Sequence, residues 1–402
     1  MARKEKSLWA IAVITATVML LHSCAPSEET KYTERLNYAV QQFEKMAEQT
    51  TANGELLLPC TIKKDGTLSS IGINDWRSGF FPGSMWYLYK MTGDTRWNEL
   101  ATRYDRKLEP LRFNTNTHDI GFMVGDSWGN EYRFTQNKEC VDVIIDAAHS
   151  LATRFHNGAG IIQSWNKNDK KDWICPVIID NMMNLELLFE AAQLSGDDSL
   201  RIIAISHANQ TLANHFRPDG SCWHVLDYDP DNGTIRHRNT HQGYSDESTW
   251  SRGHAWAIYG FTLAYRYTKD SKYLDRAIAT FDYMRNHRNM PNDCIPYWDM
   301  EVPDTTNEPR DASAAAIIAS ALLEISQYVP SGQSEEYIAY SDKIMDTLSS
   351  EAYRAPIGEN DCFLLMHSTG SKPHNSEVDT PLNYADYYYL EALYRRHTLN
   401  NK

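Results

Sequence analysis

The feature that most constrains the fold is a repeated ending, in which one helix stops at a tight turn and another helix begins. Its three clearest copies are LYKMTGD at 88–94, AAQLSGD at 191–197 and AYRYTKD at 264–270. Each copy is followed by a helical pattern with alanine at a similar offset, namely Ala101, Ala204 and Ala277. A helix, a turn and a returning helix form a hairpin, and its recurrence indicates a repeat architecture.

Apolar periodicity predicts about twelve helical segments, and strand patterns are scarce. Twelve helices make six hairpins, so the sequence predicts an all-α fold, an (α/α)6 barrel, with an open helical solenoid as the alternative. The irregular stretches between hairpins are 50–80, 110–118, 160–180, 217–250, 288–310 and 352–382. Loops gathered on one face of a rigid scaffold are where sites usually lie, and these hold most of the unusual polar and aromatic residues.

The N-terminus reads as a targeting segment. Arg3, Lys4 and Lys6 precede an apolar run at 8–21, and LHSC at 21–24 resembles the lipobox of bacterial lipoproteins. We therefore expect a signal peptide over 1–23, a lipidated Cys24, a linker over 24–32 and a single barrel domain over 33–402. An uncleaved membrane anchor is the alternative, but the run is short for crossing a bilayer. The expected location is the bacterial cell envelope.

Charge and cysteine spacing exclude several partners. The net charge of −14 argues against nucleic acid and anionic membrane surfaces as partners, while a small anionic substrate needs only a few local cations. No two of the six cysteines after Cys24 form a C-x-x-C pair, which argues against a zinc or redox site. We expect no metal and no cofactor.

One short run concentrates the candidate chemistry. The apolar stretch at 176–179 ends at Asp180, and Met182, Leu185 and Phe189 then follow at helical spacing. Asp180 fits a helix cap, which is the commoner role. Asp180 also fits a general acid. The residues before it are too apolar for an exposed loop, which indicates burial, and Asp119 is a second carboxylate that lies just before an apolar turn. Buried, paired carboxylates are how proteins obtain a general acid near neutral pH.

The densest polar and aromatic stretch is 241–260. Arg252, Trp256 and Tyr259 share one side of its predicted helix, an arrangement that suits a flat ring carrying a carboxylate. A surface ion pair from Arg252 to Asp246 or Glu247 is the alternative. Three further expectations concern a flexible anion-donor loop at 367–373, a structural helix entrance at 309–314 with Arg310 and Asp311, and exposed rings at Trp165 and Trp223.

Six motifs together resemble the unsaturated glucuronyl hydrolases of glycoside hydrolase family 88. They are WRSGFFPG at 76–83, HDIGF at 118–122, IDNMMN at 179–184, QGY at 242–244, WSRGHAWAIYG at 250–260 and RDASA at 310–314. The resemblance runs in order from about residue 33 to the C-terminus. It implies an (α/α)6 barrel, no metal, and short oligosaccharides with a 4,5-unsaturated uronic acid at the non-reducing end, which polysaccharide lyases produce.

The resemblance also assigns roles to individual residues. Asp180 is similar to the family's general acid/base and Asp119 to its second essential aspartate. The substrate-binding positions that it implies are Trp76, His118, Trp165, His224, Gln242, Arg252 and Trp256. The segment from Ser368 to Lys372 resembles the one that meets sulfate in members acting on sulfated glycosaminoglycans, although its spacing differs.

Two alternative functions remain open from the sequence. The unsaturated rhamnogalacturonyl hydrolases share the barrel and the chemistry but act on pectin fragments, and the motifs at 118–119 and 242–256 favour the glucuronyl group. A non-catalytic glycan-binding lipoprotein would explain the lipobox and the 11 tryptophans. It would give no role to Asp119 and Asp180.

Overall fold

The computed structural model describes residues 26–401, and the predicted signal peptide and Cys24 lie outside this range. The described chain is mainly helical. Its twelve α-helices are α1 Glu28–Thr51, α2 Phe80–Thr92, α3 Thr95–Leu108, α4 Asn130–Thr135, α5 Glu139–Ala152, α6 Asn181–Ser195, α7 Asp198–Asn214, α8 Ser251–Thr268, α9 Ser271–Arg285, α10 Ala312–Ile325, α11 Ser331–Leu348 and α12 Asn383–Asn400. A π-helix, Gly121–Gly129, runs directly into α4.

The helices form two concentric rings. The inner ring is α2, the π-helix, α6, α8, α10 and α12; each contacts the next, and α12 contacts α2. The outer helices α3, α5, α7, α9 and α11 pack against the inner ones, and α1 packs against α12. Because the ring closes, the predicted (α/α)6 barrel is confirmed and the open solenoid is excluded.

The predicted tight turns are confirmed at one end of the barrel. Three inner helices end at a residue in the left-handed conformation, with φ of 71° at Gly93, 76° at Gly196 and 58° at Lys269. The next residue in each case caps the returning helix through its carboxylate, and these caps are Asp94, Asp197 and Asp270. The alanines in the returning helices, Ala101, Ala204 and Ala277, are fully buried.

Burial follows from position in the rings. All 14 residues of α10 are buried, whereas α3 buries five of its 14. A helix that is apolar all round suits a core, and an amphipathic one suits an outer layer.

All six described cysteines are buried and free. Within residues 26–401, no helix has the length and apolarity needed to cross a membrane.

The long segments between an outer helix and the next inner helix carry short antiparallel strands. The strands are β1 Leu58–Ile62, β2 Leu68–Ile71, β3 Phe155–His156, β4 Ile161–Ile162, β5 Cys175–Ile178, β6 Val225–Tyr228, β7 Ile235–Asn239, β8 Ser368–Ser371 and β9 Ser376–Thr380. They pair as β1–β2, β3–β4, β5–β6–β7 and β8–β9. In the three-stranded sheet Val177 lies opposite Leu226.

Two boundary predictions were wrong. The segment 367–373 was expected to be a flexible loop, but β8 begins at Ser368 and pairs with β9 in a hairpin. The linker expected over 24–32 is helical from Glu28, because the Ser27 side chain accepts a hydrogen bond from the backbone N–H of Thr30 at 3.2 Å and caps α1.

Candidate active site

The N-terminal ends of the six inner helices lie together at one end of the barrel. Each supplies one side chain that contacts or faces the same region, and these are Trp76, Asp119, Asp180, Arg252, Asp311 and Tyr384. Helix N-termini carry partial positive charge, so six of them around one site favour an anionic ligand.

Asp180 lies between β5 and α6 at the position of a helix cap, but it does not cap the helix. Its backbone is already helical, with φ −56° and ψ −27°, and its side chain accepts no hydrogen bond from the first turn. The buried Oδ2 has no hydrogen-bond partner among the described residues. The capping interpretation of Asp180 is therefore wrong.

The surroundings of Asp180 favour its protonated form. The side chain is 13% exposed, and burial raises its pKa to about 7. The Arg252 charge lowers this pKa and the Asp119 charge raises it again. Because a shift of this kind keeps a carboxyl group partly protonated at neutral pH, Asp180 can both donate and accept a proton.

Asp119 lies just before the π-helix, a helix type often found at functional sites. Its Oδ2 accepts a hydrogen bond from the Thr117 hydroxyl at 2.8 Å, and its Oδ1 lies 3.2 Å from Nε2 of His118. The His118 ring is fully buried, and burial lowers its pKa. Because the imidazole is uncharged, His118 does not neutralise the Asp119 charge, and that charge acts on Asp180.

His224 faces Asp180 with an N–H group. Its Nε2 lies 3.9 Å from Oδ2 of Asp180, and its Nδ1 accepts the backbone N–H of His241 at 3.1 Å. Burial holds the pKa of His224 well below its ordinary value, so the ring is neutral. Since Nδ1 is an acceptor, the single ring hydrogen is on Nε2 and points towards Asp180.

Arg252 is placed differently from the prediction. It is 1% exposed and forms an ion pair with Asp311 at 2.9 Å, not with Asp246 or Glu247. Its other terminal nitrogen donates to the carbonyl oxygen of Gly370 at 2.6 Å, and Nε is unpaired. The Nε–H and the second hydrogen of that terminal nitrogen are not bonded by these contacts, so the side edge of the guanidinium keeps two parallel donors for a substrate carboxylate.

The rings around Arg252 also differ from those expected. Its guanidinium lies over Trp250 at 4.7 Å and over Tyr384 at 5.4 Å, rather than over Trp256 and Tyr259.

Trp256 is fully buried, and its indole N–H lies close enough to Asp180 to lower the pKa of that residue. Asp311 accepts hydrogen bonds from the start of α10, which confirms the predicted structural role.

The remaining predicted positions divide into two groups. Trp76 is half-buried against Tyr384, Trp165 is half-buried with its ring 6.0 Å from His224, and the Gln242 amide donates to Gly370 at 3.2 Å. These residues line the approach to Asp180. By contrast, Ser368 is fully buried and Lys372 is ion-paired with Glu308, so neither is a free anion donor.

Two residues of the site were missed. Trp250 stacks near His224, with ring centres 4.3 Å apart, and Tyr384 contacts both Trp76 and Arg252. Trp250 lies within the dense stretch at 241–260 but was given no role. Tyr384 carried no signal, because its partners are more than 100 residues away in the sequence.

Buried polar atoms without a hydrogen-bond partner concentrate here. They include Asp180 Oδ2, His224 Nε2, both His118 ring nitrogens, Trp256 Nε1 and Arg252 Nε. Buried polar groups are normally paired, so this concentration is typical of a pocket for a polar molecule. Within residues 26–401, no group of three or more His, Cys, Asp or Glu is arranged to hold a metal ion.

Comparison with known proteins agrees with this geometry. The model of Glycosyl Hydrolase Family 88 matches residues 61–392. An unsaturated glucuronyl hydrolase of Formosa agariphila is 47% identical over 326 residues, which cover 81% of this chain and 80% of that protein. An unsaturated chondroitin disaccharide hydrolase of Streptococcus agalactiae is 33% identical over 333 residues, with 80% and 81% covered.

A solved structure shares the whole barrel. It is an unsaturated glucuronyl hydrolase specific for heparin, with a TM-score of 0.88, 42% sequence identity, and coverage of 92% of this chain and 98% of that one. The family match spans most of the barrel and includes both aspartates. The chain therefore belongs to glycoside hydrolase family 88.

Proposed function

We propose that this protein removes the 4,5-unsaturated uronic acid from the non-reducing end of oligosaccharides that polysaccharide lyases generate, with glycosaminoglycan fragments as the substrate class. The observation that carries the proposal is Asp180, a buried carboxyl group that does not cap its helix and whose pKa is raised to about 7. The relatives of this protein that are named for glucuronyl and chondroitin substrates support the same substrate class.

The reaction that we propose is hydration of the C4=C5 double bond. Asp180 donates its proton to carbon 4, and positive charge develops on carbon 5 and the ring oxygen. The Asp180 carboxylate then takes a proton from water as the water oxygen bonds to carbon 5. The resulting hemiketal opens and the glycosidic bond breaks. One carboxyl group therefore serves as acid and then as base.

This scheme differs from ordinary glycoside hydrolysis, in which two carboxylates take separate roles on either side of carbon 1. Asp119 has a supporting role here: its negative charge favours the protonated form of Asp180. The N–H of His224 faces the same carboxyl group and can stabilise it after the proton has left.

The substrate carboxylate is recognised by Arg252 together with the positive end of the barrel. The terminal nitrogens of Arg252 donate three hydrogens, to Asp311, Thr369 and Gly370, which leaves the Nε–H and one terminal N–H for the substrate. The positive ends of six inner helices and the buried Arg252 charge together favour an anionic sugar. Trp76 and Trp165 supply half-buried rings for stacking.

The two alternatives are distinguished by one assay. An unsaturated rhamnogalacturonyl hydrolase would act on pectin-derived products, and a glycan-binding protein would bind without turnover. Loss of the ultraviolet absorbance of the C4=C5 bond, followed across chondroitin, hyaluronan, heparin and pectin lyase products, tests all three. Decay with glycosaminoglycan products supports the proposal, and binding without decay overturns it.

We also propose that the protein is lipid-anchored in the bacterial cell envelope through Cys24. The basic start, the apolar run and the lipobox-like LHSC support this location. Because α1 begins at Glu28, only a few residues would separate the lipid from the barrel.

A further inference from the structure

One arginine outside the reacting centre joins the segments that carry Asp119 and Trp165. Arg154 lies between α5 and β3 and is 8% exposed. Its Nη1 donates to the carbonyl oxygen of Thr115 at 2.9 Å, four residues before Asp119. Its Nε donates to the carbonyl oxygen of Gln163 at 2.8 Å, two residues before Trp165. Arg154 is therefore a bridge between the two segments.

Every N–H of this guanidinium is used within the protein. Besides Thr115 and Gln163, Arg154 donates from Nη2 to the carbonyl oxygen of Ser164 at 3.1 Å, and from both terminal nitrogens to Oδ1 of Asn166 at 3.2 Å. An arginine has five N–H donors, and these contacts occupy all of them. Arg154 therefore has no donor left for a substrate and acts on the reaction only through the residues that it holds.

The segment of Trp165 is also tied to the strand that leads to Asp180. The Ser164 hydroxyl accepts the backbone N–H of Ile178 at 3.0 Å, and the Ser164 N–H donates to the carbonyl oxygen of Pro176 at 2.9 Å. Both partners belong to β5, which ends two residues before Asp180. One layer of hydrogen bonds around the arginine thus connects the segments of Asp119, Trp165 and Asp180.

The charge of Arg154 is not neutralised by an ion pair. Its acceptors are uncharged oxygen atoms, and within residues 26–401 it forms no ion pair with a carboxylate. Burial lowers the pKa of Arg154 and the Asp119 charge raises it, so the two charges act on each other without contact. A buried charge of this kind is poorly screened by water. The Arg154 charge therefore favours the ionised form of Asp119.

The other titratable groups around Arg154 and Asp119 are mostly uncharged. Burial and the Arg154 charge lower the pKa of His118, while the Asp119 charge raises it. Cys175 on β5 faces Arg154, and burial raises the pKa of its thiol to about 12. Asp180 is the second carboxyl group, and the groups that face it are His224, Cys222 and Arg252. Arg154 thus acts on Asp119 as Arg252 acts on Asp180.

We propose that Arg154 is a positioning residue of the active site with two separate effects. Its hydrogen bonds hold Trp165 and Asp119 at a fixed separation for the sugar. Its charge keeps Asp119 ionised, so that the proton shared by the two carboxyl groups stays on Asp180. This proposal rests on the function proposed above.

Two substitutions separate the effects, because they have similar numbers of donors and differ in charge. Arg154→Lys keeps the charge with three donors in place of five, and Arg154→Gln has two donors and no charge. Asn166→Ala, at an exposed residue, removes one acceptor and leaves the buried arginine intact. Arg112→Met is the matched control, since Arg112 lies in the short helix Glu109–Phe113 and pairs with Asp146 on α5.

The readouts are KM and the pH profile of kcat/KM for an unsaturated disaccharide, measured on variants whose thermal unfolding shows that they are folded. The kcat/KM profile reports the titrating groups of the free enzyme. We expect Arg154→Lys to raise KM roughly tenfold, as for about one lost hydrogen bond, with an unchanged acid limb. Arg154→Gln should raise KM similarly and also move the acid limb upward by about one pH unit, because Asp119 then takes a proton more readily.

Asn166→Ala should raise KM by less than Arg154→Lys without moving the acid limb, and Arg112→Met should change neither. The same acid limb in Arg154→Gln and Arg154→Lys would show that the charge has no role. An unchanged KM in both Arg154→Lys and Asn166→Ala would show that the hydrogen bonds have none. Either result overturns the proposal. If the wild type does not cleave the disaccharide, the proposed function itself has failed.

Discussion

Gly121 and Asn184 approach so closely that no side chain fits between them. A Cβ atom on Gly121 would lie 2.6 Å from both Cα and Oδ1 of Asn184, and the next residue, Phe122, donates its backbone N–H to the same Oδ1 at 3.1 Å. Gly121 is two residues after Asp119, and Asn184 is four residues after Asp180. This contact therefore fixes the two carboxylates relative to each other.

Gly121→Ala should lower turnover by at least about tenfold, because the backbone must shift and a small misplacement of a catalytic group is costly. Gly125→Ala, in the same π-helix, is the control, since a Cβ there meets nothing within 4 Å. The measurement is the rate of absorbance loss for both variants with their thermal unfolding. Equal activity in the two variants would show that the Gly121 contact does not position Asp119.

The Arg252–Asp311 ion pair should be important for stability. Asp311→Asn keeps a side chain that caps α10 but removes the charge that balances a buried guanidinium. We expect a loss of about 3–5 kcal/mol in the free energy of unfolding, the usual result when one partner of a buried pair is removed. Urea unfolding measures it, and a change below about 0.5 kcal/mol would mean that the pair is not buried in solution.

The raised pKa of Asp180 predicts a pH-dependent cost to stability. Between about pH 4 and 7 the folded protein keeps a proton that the unfolded chain has released, so wild-type stability falls as pH rises through this window. Asp180→Asn does not titrate. Its advantage over wild type should be absent below about pH 4 and grow to about 4 kcal/mol at pH 8.

Urea unfolding of both proteins at three pH values gives this difference directly. Titrating groups that do not interact with Asp180 contribute equally to the two proteins and cancel. A difference between variant and wild type that does not change with pH would contradict the raised pKa.

Much of the barrel could be predicted because its signals are local. Gly93 and Asp94 mark a helix end and the next helix start within two adjacent residues, and the alanine at 101 marks a crowded interface. The partners of Arg252 could not be predicted. Asp311 and Gly370 are distant from it in the sequence and contact it only because the ring of helices closes. The same holds for Tyr384, which meets Trp76 only because α12 lies beside α2.

Asp180 shows most clearly what a sequence pattern cannot distinguish. A carboxylate before a helix is consistent with a cap, which is the commoner role, and with an acid, and the sequence pattern is the same for both. What separates them is backbone geometry: at Asp311 the residue is non-helical and its oxygens accept N–H groups, whereas at Asp180 the backbone is helical and Oδ2 is unpaired.

The proposed anchor is tested by Cys24→Ser. If Cys24 is lipidated, intact mass of the wild type should show a chain that starts at Cys24 with attached acyl groups, and the variant should carry no acyl group. A wild type that keeps residues 1–23, or that has the same acyl mass as the serine variant, would contradict lipidation.

The central claim is that Asp180 is the general acid and base. Asp180→Asn keeps the shape of the side chain and removes both proton transfers, so turnover should fall by about 10²–10⁴-fold or more while the protein stays folded. Asp119→Asn should reduce turnover less, because it changes only the charge that favours a protonated Asp180. The most direct measurement is therefore the rate of ultraviolet absorbance loss for folded Asp180→Asn acting on an unsaturated disaccharide. The account predicts near-complete loss of that rate, and a variant that keeps most of the wild-type rate would contradict it.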